Sequence, residues 1–237
     1  MAPHAAALSR DEDCSPWGEL VDIAPIPGGG RLHLYRHDDG YEILFGEEQL
    51  MGSWAFRSEE ALATVAADRL GRPAGRVLIG GLGMGFTLRA ARASFPSPTE
   101  IVVAELVPQV VVWAGGVLKD IVGDSLDDPR VTVETADVHD VIVAGPGRYD
   151  AILLDVDNGP DGLIHIANDR LYCDWGLRAA TAALRPGGIL AIWSAQPNEP
   201  FADGLVRAGF DVETVRVDGG GHKSDPPHVI WLVRKLR

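Results

Sequence analysis

Three glycines and four carboxylates are spaced so that they can share one ligand. Gly81, Gly83 and Gly85 follow the apolar run Val77–Ile79. Glycine is needed where backbone must turn with positive φ, or lie against a ligand with no side chain between. Glu105 closes a second apolar run, Ile101–Ala104, twenty residues after Gly85. An acidic residue at the tip of a second strand is placed to accept hydrogen bonds from ribose hydroxyls. Asp137 stands just past a third run, in T-A-D-V. Its carboxylate suits an adenine amine, and equally the N-cap of a helix starting at Val138. Asp155 ends the run Y-D-A-I-L-L-D. There a carboxylate can take a proton from an attacking amine, or hold a sulfonium and an ammonium by charge; a loop carboxylate satisfied by backbone donors is the plainer alternative. Asp157, two residues on, is a second candidate for the same work.

The glycine spacing narrows the ligand. A dinucleotide turn wants G-x-G-x-x-G, so that a helix N-terminus meets a pyrophosphate. Counting from Gly81 the third glycine falls at Phe86, and counting from Gly83 it falls at Leu88. G-x-G-x-G without the last glycine resembles the class I S-adenosylmethionine-dependent enzymes, whose ligand has no phosphate to cradle. A turn set by packing alone, beside a surface glutamate, is the simpler alternative.

The elements that must position these residues are readable in order. Residues 1–17 are small, polar and charged, and read as a flexible N-terminus. Residues 18–57 read as a small antiparallel sheet of short alternating segments, E-L-V-D-I-A, R-L-H-L-Y and Y-E-I-L-F, with Asp38-Asp39-Gly40 as a hairpin turn. Residues 58–237 read as the nucleoside-binding catalytic domain. Ser58 is expected to cap a helix running to about Leu70. Helices are expected at Val107–Asp120, His139–Ala144, Leu171–Leu184 and Phe201–Ala208, with Pro186-Gly187-Gly188 stopping the third of these. The last two apolar runs, Phe210–Val217 and His228–Val233, have no helix between them and must be antiparallel neighbours, because a parallel return needs a crossover. The expected architecture is α/β: a seven-stranded, mostly parallel, doubly wound sheet ending in an antiparallel hairpin, preceded by the small antiparallel sheet.

Composition excludes several partners. With 34 acidic against 21 basic side chains, the formal net charge is −13. That balance opposes a polyanion, so nucleic acid is not an expected partner, and a cationic small molecule suits the field better. Cys14 and Cys173 show no metal spacing, His222 and His228 have no third ligand beside them, and no metal is expected. No apolar run approaches the ~20 residues of a membrane helix. The first residues lack the basic and apolar regions of a secretory signal, so a cytoplasmic protein without membrane contact is expected.

The order of I-G-G-L-G-M-G-F-T-L-R, V-V-A-E-L, D-P-R-V-T-V-E-T-A-D and Y-D-A-I-L-L-D-V-D-N-G-P resembles the spermidine synthase (polyamine aminopropyltransferase) family, from about Leu32 to Trp193. The resemblance implies a transferase that uses decarboxylated S-adenosylmethionine, delivers an aminopropyl group to a small amine and releases methylthioadenosine. It implies that Glu105 holds the ribose, Asp137 the adenine, and that Asp155 is the base; it also implies a homodimer. The chain departs from the family pattern in three places. Asn158 stands where the D-x-S-D-P motif has its second aspartate, Val107 replaces the carboxylate of E-I-D, and the glutamine expected around Ser53-Trp54 is missing. Asn158, Tyr172 and Trp54 are candidate substrate contacts, while Trp175, Trp193 and His165 have structural roles as their simpler alternatives. Two other readings stay open at this stage: a small-molecule methyltransferase using intact S-adenosylmethionine, and a non-catalytic nucleoside-binding protein.

Overall fold

The computed structural model describes residues 18–160, 169–220 and 226–236. Cys14, His165 and His222 lie outside the described residues. Eleven strands form two sheets among the described residues. The first is an antiparallel meander of β1 (Glu19–Pro25), β2 (Arg31–His37), β3 (Gly40–Phe45) and β4 (Glu48–Gly52). His37 pairs with Gly40 across Asp38-Asp39, so the expected hairpin forms there. The fourth strand was not separated in the sequence, because Gly46 and Glu47 leave only a two-residue turn between it and β3.

The second sheet has seven strands, and its composition follows position. β5 (Arg76–Gly80), β6 (Glu100–Glu105), β8 (Tyr149–Leu154) and β9 (Leu184–Ser194) are near-continuous apolar runs, with helices covering both faces. The edge strands β7 (Val131–Thr135) and β10 (Val212–Val217) alternate or expose polar residues instead. The order is β10-β11-β9-β8-β5-β6-β7, and β11 (His228–Arg234) runs antiparallel to both its neighbours. The reversed hairpin expected from the missing last helix is therefore present.

Neighbouring residues of β5 feed opposite sides of the core. Val77 and Ile79 pack with α1 (Arg57–Leu70), α2 (Phe86–Ser94), α3 (Pro108–Gly115) and the inner residues of the four-stranded sheet, among them Leu34 and Ile43. Leu78 packs on the other face with α5 (Val138–Val143), α7 (Asp174–Ala183) and α8 (Glu199–Arg207). The small sheet thus buries its apolar face against the larger unit, as a few-stranded sheet must to be stable. Asp22 of β1 adds a polar tie, accepting from Trp113 Nε1 at 2.8 Å and Gln109 Nε2 at 2.7 Å.

Three helix limits differ from expectation. α1 begins at Arg57 with Phe56 as its N-cap residue, so the Ser58 hydroxyl is not a cap and bonds elsewhere. The helix expected over Val107–Asp120 ends at Gly115 and resumes as α4 (Lys119–Val122), because Gly115-Gly116 breaks it. The expected Leu171–Leu184 helix is α6 (Asp169–Tyr172) followed by α7, and Leu184 already belongs to β9. Pro186-Gly187-Gly188 is not a linker but a bulge in that strand: Tyr149 pairs with Leu184, and Ala151 next with Ile189.

Far from the glycine turn, Asp150 of β8 holds the lower end of the sheet. It is buried, and its carboxylate accepts from Gly75 N (2.7 Å), Arg72 Nη1 (2.8 Å) and Arg185 Nη1 (2.6 Å). Burial alone would raise its pKa, but these donors outweigh it and hold the carboxyl below its usual range. A depressed pKa contributes stability that is present above the unfolded value and lost as pH falls through the native one. Asp150→Ala is expected to cost roughly 3 kcal/mol in urea unfolding at neutral pH, the lower end for a broken buried pair because both arginines reach solvent. The deficit should shrink as the pH is lowered below about 4, toward the unfolded carboxyl's value.

Candidate active site

The glycine turn lies at the centre of the sheet, where strand order reverses. β5 has β6 on one side and β8 on the other, so their carboxyl ends open a crevice at a topological switch point. Gly81 N–H donates to Ala104 O and Asp155 N–H to Gly80 O, both at 2.9 Å, which brings the three strand tips side by side. Gly81 has φ +89°, and a Cβ there would lie 2.2 Å from the Asp155 carbonyl oxygen. Only glycine fits both the conformation and the space. Gly85, at φ +79°, starts α2.

The crevice is a cavity that opens to solvent between the strand tips and the small sheet. Gly81 and Gly83 form part of its wall, with Val107, Val110 and Val138. Ile26, Leu32, Ile43, Leu50 and Met51 of the four-stranded sheet and its loops line it from the other side, so that sheet roofs the cavity. Five carboxylates line it as well: Glu59, Glu105, Asp137, Asp155 and Asp157.

Glu105 is buried, and both oxygens are engaged: Oε2 accepts from Leu82 N and Oε1 from Val107 N, each at 2.8 Å. Burial pushes its pKa up against the pull of these backbone donors. It therefore shapes the glycine turn and lines the cavity. Asp137 does cap α5, accepting from His139 N at 2.8 Å, and its other oxygen meets Arg170 Nη2 at 2.6 Å. The sidechains of Asp137, His139 and Asp140 converge within 4.8 Å. Arg170 already brings a positive charge there, at 3.5 Å from Asp140.

Asp155 lines the cavity from the tip of β8, where Thr87 Oγ1 lies 2.5 Å from its Oδ2. Burial raises the Asp155 pKa to about 6 against that hydrogen bond. Glu59 lies in the same region. Burial, then the charge of Asp155, raises it to about 8, although Ser58 Oγ donates to it at 2.6 Å. Asp157 lines the cavity from the loop after β8, in a left-handed conformation (φ 51°) that aspartate tolerates.

The three candidate substrate contacts stand outside the cavity wall. Asn158 Nδ2 lies 3.3 Å from Glu48 Oε1 and from Gln49 O, so it ties the site loop to the roof. Tyr172 is buried, and its hydroxyl donates to Val156 O at 3.2 Å, which fixes that loop from behind. Trp54 packs edge-on against His37 and is over a third exposed. The tryptophan on the wall is Trp193, which had been read as structural, while Trp175 is exposed against His139.

Glu59 is a lining carboxylate outside the candidates drawn from the sequence. The signal was in the helical period. Glu59, Leu62, Ala63, Ala66 and Leu70 are the buried stripe of α1, so a carboxylate occupies a core position there. Thr87 and Trp193 had no comparable signal, since each looks like an ordinary residue of an apolar element.

No protein-family model matches the chain. Curated polyamine aminopropyltransferases from two strains of Mycobacterium tuberculosis and one of Mycobacterium bovis are 31% identical over 212 residues, which is 88% of this chain and 36% of theirs. The chain thus spans a little over a third of the length of the curated relatives it matches. Among solved structures, a spermidine synthase in complex with the transition-state analogue AdoDATO aligns over 92% of this chain and 74% of its own, with a TM-score of 0.75 and 20% identity. Spermidine synthase from Thermotoga maritima aligns over 92% and 73%, with a TM-score of 0.70 and 17% identity.

Proposed function

From a chain that is spermidine synthase-like in sequence and fold, we propose a transferase that moves an aminopropyl group from decarboxylated S-adenosylmethionine to a small amine, releasing methylthioadenosine. One observation carries this reading. Five carboxylates line the cavity and, among the described residues, no Lys, Arg or His does. A sulfonium donor and a protonated amine are both cations, and a wall of this sign attracts both. Intact S-adenosylmethionine would bring an α-carboxylate among the same carboxylates, where a like charge is costly and Arg170 is already paired with Asp137.

In this reading Glu105 receives the ribose hydroxyls, Gly81 and Gly83 let the ligand approach the backbone, and Asp137 faces the adenine end. Asp155 takes a proton from the acceptor's ammonium, so that a neutral nitrogen attacks the carbon beside sulfur. The C–S bond breaks, its electron pair stays on sulfur, and methylthioadenosine leaves as a neutral thioether. One observation favours intact S-adenosylmethionine and methyl transfer instead: Trp193, on the wall, has a buried indole N–H with no acceptor among the described residues, and a carboxylate would supply one.

Comparison of thermal shifts separates the readings. Decarboxylated S-adenosylmethionine and methylthioadenosine are expected to raise Tm more than the intact donor at equal concentration. A larger shift from the intact donor would favour the methyltransferase, and none from any of the three would leave a scaffold.

The remaining assignments belong to the same proposal. We read residues 18–57 as the roof unit and 58–237 as the catalytic unit, acting in the cytoplasm as a homodimer. Among the described residues no helix is long and apolar enough to cross a membrane. Leu20, Ile23 and Trp54 are exposed apolar side chains on or beside the four-stranded sheet, available to a second copy. Light scattering at micromolar concentration is expected to give twice the chain mass; a monomer mass would leave the sheet with its roofing role alone.

A further inference from the structure

Glu59 is a carboxylate of the cavity that lies outside the strand tips, on α1, and its surroundings form a connected polar chain. Ser58 Oγ lies 2.6 Å from Glu59 Oε2 and 2.7 Å from His228 Nδ1, although Ser58 and His228 are 170 residues apart. His228 opens β11, half-buried, with its ring edge-on to Trp193 of the cavity wall at 5.2 Å between centroids. Thr87 completes the other side. Its hydroxyl is 2.5 Å from Asp155 Oδ2 and 3.1 Å from the Glu59 carbonyl oxygen, so one residue of α2 sets both carboxylate-bearing elements. We propose that Glu59 is a second proton-accepting carboxylate of the site, paired with Asp155, and that Ser58 and His228 pass its proton outward. This inference rests on the transferase reading given above.

The chemistry requires such a route. An acceptor enters as an ammonium, gives one proton to the carboxylate pair, attacks the donor carbon, and leaves as a secondary ammonium. Each turnover therefore deposits one proton in a buried site, and that proton must leave before the next. The hydroxyl of Ser58 carries one hydrogen and cannot donate in both directions. When Glu59 is protonated it donates to Ser58 Oγ, and Ser58 donates to His228 Nδ1. Shifting both protons along those bonds leaves Glu59 ionised and His228 cationic, and the proton leaves the site through the imidazole. Glu59 and Asp155 line the same cavity and both meet Thr87, and the charge of Asp155 raises the Glu59 pKa, so the two titrate as a pair.

The groups facing the pair come from five places. Glu60 of α1 is next to Glu59 and is itself engaged by Arg89 at 2.6 Å. Thr87 belongs to α2, Asp157 to the loop after β8, Tyr172 to α6 and His228 to β11. Among these only His228 can gain a positive charge. It is thus the exit for the proton rather than its store.

Full-length protein, its Glu59→Gln, Glu59→Asp and Ser58→Ala variants, and methylthioadenosine release measured across pH test the proposal. Glu59→Gln is expected to keep methylthioadenosine affinity, to lose about 10–10²-fold in turnover, and to drop one ionisation from the acid limb of the profile. Glu59→Asp should restore part of the rate, and Ser58→Ala should lower turnover without moving affinity. A Glu59→Gln variant with the parent's turnover and pH profile overturns the proposal. A second readout is independent of activity. Groups whose native pKa is raised stabilise below their unfolded value and lose that contribution as pH rises through the native one. The parent's Tm should therefore fall more steeply than that of Glu59→Gln between about pH 5 and pH 8, the window set by the raised Glu59 and Asp155. If the parent transfers nothing from either donor, the transferase reading fails by itself. The Tm slopes then decide the pairing, and equal slopes overturn it.

Discussion

Asp155→Asn is expected to leave nucleoside affinity unchanged and to lower turnover by about 10²–10⁴-fold. Asparagine has the shape of aspartate and still accepts from the Thr87 hydroxyl, 2.5 Å away, so the strand tip keeps its geometry. It lacks a basic oxygen. A free alkylamine is mostly protonated at neutral pH, with a pKa near ~10, and attack needs its lone pair. The raised pKa of Asp155, about 6, brings its basicity nearer the operating range than an exposed aspartate's would be. Product release for Asp155→Asn and Asp157→Asn, measured with one working acceptor, checks the assignment. An active Asp155→Asn beside a dead Asp157→Asn would move the base to Asp157, two residues along the same loop.

Glu105→Ala should weaken methylthioadenosine binding by at least about a hundredfold. Hydrogen bonds to a charged group contribute about 1.5–3 kcal/mol each, and a ribose offers two hydroxyls. The alanine also strands the N–H groups of Leu82 and Val107, which Glu105 now satisfies. Loss of the turn and loss of the ribose contact are separated by Glu105→Asp, which keeps the charge one methylene further back. The Tm of Glu105→Asp should stay near the parent's while affinity falls. Calorimetry showing parental affinity in both variants would remove Glu105 from the ribose site.

The central strands of the larger sheet and its closing hairpin were legible because their physics is local. Central strands must be apolar on both faces, so β5, β6 and β8 announce themselves as runs. A missing helix between β10 and β11 leaves only an antiparallel pairing. Glycine at 81, 83 and 85 was readable for a similar reason, since backbone conformation is a property of the residue itself. What escaped depended on contacts distant in sequence. Ser58 looked like a cap until α1 was seen to start one residue earlier, with Ser58 turned toward His228, which lies on the last strand. Trp54 and Trp193 were indistinguishable as tryptophans, and only packing puts the second on the cavity wall. Met51 touches the turn at Gly83 from the roof, where a Cβ would come within 2.8 Å of its Cε. Glu59 was the one missed residue with a sequence signature, a carboxylate in register with an apolar stripe.

The proposed transferase requires a cavity wall that accepts a doubly cationic donor and disfavours one bearing a carboxylate. Mass spectrometry of the nucleoside released by purified protein tests it most directly, with decarboxylated and intact S-adenosylmethionine supplied separately against the same panel of small amines. The prediction is methylthioadenosine and an aminopropylated amine from the decarboxylated donor, with no turnover of the intact one. S-adenosylhomocysteine with a methylated amine, formed from the intact donor alone, would contradict it.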